Sequence, residues 1–133
     1  MIAFTSYLHV YNAADLTLVQ EFTTANGPQF PSQNLVVDGT NVYVAVNNGF
    51  DWGNEVGLIG KLDLSTMTYG NEIDLGVDGK NPDNMMIKDG FIYTVNNKDW
   101  SGASISKVSF DGSTNSTINL ASASTGCGTS SLR

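Results

Sequence analysis

Two short stretches set an indole beside amides and a carboxylate: Asn47-Asn48-Gly49-Phe50-Asp51-Trp52-Gly53 and Asn96-Asn97-Lys98-Asp99-Trp100-Ser101-Gly102. An aromatic face flanked by such groups holds a sugar ring or a flat ligand by stacking together with directed hydrogen bonds. Trp52, Trp100, Asn48, Asn97, Asp51 and Asp99 are therefore the candidate ligand-binding residues. Each has a structural alternative. A tryptophan that recurs at equivalent positions can pack over a neighbouring unit and pin its own loop. An Asn at a strand end can cap a turn or bond loop backbone. Asp51, Asn54 and Glu55 also gather oxygens as a hard cation requires. Their spacing matches no EF-type loop, however, and Asp99 is followed by no comparable acids. No metal or cofactor is expected.

Catalytic constellations are sparse. His9 is the only histidine and falls in an expected strand, a packing or surface position. Asp15, Asp63, Asp83 and Asp111 fall in expected turns, where a carboxylate bonds its own backbone. No Gly-rich loop precedes a helix to cradle phosphate, and no His/Cys cluster has metal-ligand spacing. Cys127 stands alone in Gly126-Cys127-Gly128, without a partner for a disulfide or a neighbouring base. The expectation is a chain that binds rather than catalyses.

The elements that position these residues repeat. Leu35 to Asn48 (LVVDGTNVYVAVNN) is echoed by Met85 to Asn97 (MMIKDGFIYTVNN), and Gly57 to Leu75 more weakly by Ala103 to Leu120. Asp38-Gly39 recurs at Asp89-Gly90, 51 positions on; Asp51-Trp52 at Asp99-Trp100, 48 on; Lys61 at Lys107, 46 on. A period of this size built from short strands marks a propeller-like array whose units must stack to bury their apolar faces. Alternation with period two, and no apolar stripe at helical spacing, predicts strands near 35–37, 42–48, 56–62 and 67–75, repeated at 85–87, 91–97, 103–110 and 114–120. Four antiparallel strands are the content of one propeller blade. The expected fold is thus all-β, a partial β-propeller: residues 1–26 a partial blade, 27–78 and 79–125 full blades, and 126–133 the start of another. An array of two and a half blades does not close, which implies a longer chain or a ring assembled from several copies.

Composition narrows the function. The chain of 133 residues carries a net charge of −7 with only six Lys and Arg, whereas a nucleic-acid backbone requires clustered cations. No apolar run approaches the roughly 20 residues of a membrane helix, so neither nucleic acid nor a transmembrane segment is expected.

The strand cores Tyr43-Val44-Ala45-Val46-Asn47 and Tyr93-Thr94-Val95-Asn96, the turn Lys61-Leu62-Asp63-Leu64-Ser65-Thr66, and the link from Asp74-Leu75-Gly76 to Asn81-Pro82 resemble the YVTN or YncE-like β-propeller family over nearly the whole chain. The long loops with Asp-Trp are similar to the branch found as surface lipoproteins in Bacteroidetes. The resemblance implies a non-enzymatic, secreted or cell-surface binding protein. Within it, the long loops share one face, where a rigid scaffold places function. The expected activity is capture of a small molecule or glycan there. The alternatives are docking of a partner protein or transporter, and membership of a propeller hydrolase or lyase with its catalytic residues elsewhere.

Overall fold

A computed structural model describes residues 6–49, 51–98 and 102–120. The described residues contain ten strands and no helix. They are β1 (Ser6–Tyr11), β2 (Leu18–Thr23), β3 (Ser32–Asp38), β4 (Asn41–Asn47), β5 (Gly57–Asp63), β6 (Thr68–Asp74), β7 (Pro82–Lys88), β8 (Phe91–Asn96), β9 (Ala103–Ser109) and β10 (Asn115–Leu120). They form a two-stranded sheet, β1-β2, and two four-stranded antiparallel meanders, β3-β4-β5-β6 and β7-β8-β9-β10. None of the three sheets closes on itself.

Turn chemistry produces the meanders. Asp89 and Gly90 both have positive φ (51° and 78°), as a two-residue hairpin turn matching the strand twist requires. The outer hairpins share a different device. Asp15, Asp63 and Asp111 each accept, at Oδ1, the backbone N–H and the hydroxyl of the residue two positions on: Thr17, Ser65 and Ser113. These bonds hold the three carboxyl groups below the usual range, and Ser109, which also donates to Asp111, brings that group to about 2.

The middle sheet is buried on both faces because β4 alternates two apolar sets. Val42, Val44 and Val46, with Leu62 of β5, pack against Leu8 and Phe22 of the first sheet. Tyr43 and Ala45, with Ile59, pack against Met85, Ile92 and Val108 of the third. The Tyr43 ring stacks on Phe110 at 4.9 Å and 13°. The three sheets therefore lie face to face in chain order.

Register defines the repeat more sharply than the residue types do. Tyr43 pairs with Lys61, and Tyr93 with Lys107. The inner hairpin thus recurs after 50 positions and the third strand after 46. The register shift between Ser32 and Asn34 recurs between Pro82 and Asn84. On this frame the Asn-Asn pairs and the Asp-Gly pairs, 49 and 51 positions apart in sequence, are each one residue out of step. Asn97 is the counterpart of Asn47, and Asn96 stands where the middle sheet has Val46.

Candidate functional site

Three connections meet at one end of the middle and third sheets: 48–56 after β4, 75–81 between the sheets, and the described part of 97–102 after β8. Backbone bonds join them. Leu75 N donates to Gly57 O, Asn81 N to Val56 O, Asn97 N to Asn81 O and Lys98 N to Lys80 O, all at 2.8 to 2.9 Å. The approach is close enough that a Cβ on Gly57 would overlap the Gly79 carbonyl oxygen. Glycine at the first position of β5 is what lets the second connection lie against the strand.

Trp52 is 73% exposed at the tip of the first connection. Its loop is tied by Asp51 N to Asn48 O (3.1 Å), Asn54 N to Asp51 O (3.0 Å), Asn48 Nδ2 to Asn54 O and Asn54 Nδ2 to Asp51 Oδ1 (both 3.2 Å). Asn48 and Asp51 thus build the loop that presents the indole. Asn97 is 5% exposed and sits in the backbone ladder between the second and third connections. Asp99, Trp100 and Cys127 lie outside the described residues. Among the described residues, no group of three or more His, Cys, Asp or Glu side chains is arranged to hold a metal ion. His9 faces Glu21 at 3.5 Å on β1, away from these loops.

Beneath Trp52 lies a carboxylate for which the sequence offered only a cation-binding role. Glu55 has a side chain 4% exposed. Its Oε1 accepts the N–H of Gly53, the amide joining Trp52 to Gly53, at 3.0 Å, and its Oε2 meets Lys80 Nζ at 3.5 Å. The Gly53 bond and Glu55's own backbone amide, with a smaller contribution from Lys80, hold the Glu55 carboxyl below the usual carboxylate range against the opposing effect of burial. A second ion pair, Lys98 to Asp78 at 3.2 Å, closes the neighbouring connection, and Lys98 also donates to Asn119 Oδ1 at 2.9 Å. Asn81, 1% exposed with φ of 54°, donates through Nδ2 to Lys98 O, while its Oδ1 has no partner among the described residues.

Two hollows differ in character. One of about 210 Å³ opens among the loops, lined by Glu55, Val56, Leu58, Asp74, Val77 and Lys80. A larger one, about 480 Å³, runs between Phe22, Gly27 and the edge strand β6 at Tyr69 and Asn71. Among the described residues no ion pair lines that groove, and none of its lining residues belongs to the Trp52 loop.

Between the second and third sheets the sequence concealed a buried polar cluster. Thr94 Oγ1 donates to Asn96 Oδ1 at 2.7 Å; Asn96 Nδ2 donates to Ser104 Oγ at 2.9 Å and to Ser106 Oγ at 2.8 Å; Ser106 exchanges a bond with Thr117 at 2.7 Å. Ser104 Oγ donates onward to the Asp78 carbonyl. The available signal was the alternation Ser104, Ser106, Val108, which puts both hydroxyls on the face that carries Val108 into the core.

No protein-family model matches the chain, and no curated protein matches it.

Proposed function

We propose that the chain is part of a β-propeller of the kind its sequence resembles, and that its long-loop end is a non-catalytic binding surface for a glycan or other small molecule, with Trp52 as the aromatic platform. The observation that carries this reading is an indole 73% exposed on a loop immobilised by its own hydrogen bonds. A large aromatic held in this way offers stacking area with little conformational entropy left to lose on binding. Four-stranded meanders stacked face to face are the arrangement a propeller uses. Location at the cell surface or in secretion rests on the resemblance alone.

A second reading, docking of a partner protein, is favoured by one feature: Ile118 is 63% exposed on the outer face of the third sheet. The two readings separate in one experiment. Trp52→Ala should weaken glycan binding by about 1–3 kcal/mol, the usual scale for an aromatic anchor, measured by ligand-observed NMR. The melting temperature should stay nearly unchanged, as expected for a side chain this exposed. Binding unchanged by the substitution would overturn the platform.

A further inference from the structure

We infer that the 210 Å³ hollow lined by Glu55 and Lys80 is a subsite for one neutral, hydroxyl-bearing ring, the terminal sugar of a glycan. The inference rests on the reading of Trp52 given above and specifies its ligand.

Size is the first argument. The volume falls below the roughly 300–1,000 Å³ of pockets for drug-sized ligands, which suits a single ring. The lining is the second. Val56, Leu58 and Val77 supply an apolar wall on which the C–H face of a sugar can lie. The same lining carries Glu55, Asp74 and Lys80.

Their hydrogen-bonding capacity sets the chemistry. An ammonium has three donors and each carboxylate about four acceptor sites. Among the described residues, Lys80 Nζ is engaged by Glu55 Oε2, Glu55 Oε1 by Gly53 N–H, and Asp74 Oδ1 by Gly76 N–H at 2.8 Å. Donors and acceptors therefore both remain at the hollow. A hydroxyl both donates and accepts, so a ring bearing several can bond Lys80 and Asp74 together. A carboxylate ligand offers no donor and meets two acids in a chain of net charge −7. An ammonium group is attracted by the two acids but offers no acceptor to Lys80, so a hydroxyl is the group that satisfies both.

The hollow is coupled to the platform. The amide that Glu55 accepts belongs to the Trp52–Gly53 peptide, so the group at the hollow's wall also fixes the base of the indole.

The test uses the full chain and ligand-observed NMR titration with glucose, N-acetylglucosamine, glucuronate and glucosamine. The neutral sugars should bind about tenfold or more tightly than the charged ones, the scale of one hydrogen bond to a charged group. Asp74→Asn, which keeps the Oδ1 acceptor for Gly76, and Val77→Tyr, which fills the rim from an exposed position, should each weaken neutral-sugar binding about tenfold while preserving the melting temperature. Wild-type binding in both variants, with loss in Trp52→Ala, would overturn the subsite and leave the platform standing. Loss in both variants with wild-type binding in Trp52→Ala would support the subsite and overturn the platform. Glucuronate or glucosamine binding most tightly would overturn the assignment of a neutral ring, and no binding of any of the four would overturn both proposals.

Discussion

Asn96 occupies a site that the middle sheet fills with Val46, and the surrounding residues changed with it. Where β4 and β5 have Val44, Leu58 and Gly60, β8 and β9 have Thr94, Ser104 and Ser106. Gly60 lies under the Tyr69 ring, whose hydroxyl a Cβ there would strike. One register thus accommodates two solutions, an aromatic laid over glycine or a network of hydroxyls joined by an amide. Asn96→Val should destabilise the chain by about 1–3 kcal/mol, because it strips partners from buried hydroxyls. Adding Ser104→Val and Ser106→Ala should cost less than the sum of the separate substitutions, since the three act as one network; chemical denaturation gives both figures. None of this was legible in the repeated Asn-Asn. In a strand a slip of one position exchanges the two faces, so matching dipeptides that stand 49 apart on a frame of 50 hide an interior residue behind an apparent loop residue. Trp52, by contrast, could be read as a loop residue because it interrupts the alternation.

At the scale of elements, alternation placed the described strands well, and the main difference is informative. The first strand of each meander begins three residues earlier than expected, at Ser32 and Pro82. Polar Ser-Gln-Asn and Pro-Asp-Asn obscure pairing that continues through a register shift, and Pro82 is tolerated as the first residue of its strand. The outer hairpins carry a dependence on pH. Asp15, Asp63 and Asp111 have folded-state values below the unfolded 3.8, with Asp111 at about 2. A depressed carboxyl stabilises the fold above its unfolded value and loses that contribution as pH falls through the folded one. The Ser113 amide should therefore hold its chemical shift from neutral pH to below 4 and change only as pH nears 2. An NMR titration checks this; a midpoint near 4 would remove the turn's contribution to acid stability.

For the molecule as a whole, the outer face of the third sheet repeats a pattern already buried once. Tyr93, Val95, Ile105 and Ile118 occupy the register positions of Tyr43, Ala45, Ile59 and Ile73, the set that the middle sheet presses against its neighbour. In the middle sheet that set is covered by another sheet. Val95 is buried and Ile118 is the exposed member of the set, at 63%; the 133-residue chain should self-associate through Ile118, and Ile118→Asp should shift it toward monomer in analytical ultracentrifugation. A wild-type chain that stays monomeric at high concentration would count against the surface.

The two spacings, 50 for the inner hairpin and 46 for the third strand, have one more consequence. Four residues of the difference in length between the two meanders fall in the connection after their second strand, 48–56 in one and the corresponding shorter stretch in the other; a fifth is a bulge in β6 that β10 lacks. The second and third strands that flank it keep their register. That junction is a graft point: peptides of different length can be exchanged there, or randomised as a library, while the frame that presents them stays unaltered. A selection campaign on this scaffold would begin by transplanting the longer connection into the shorter one's place.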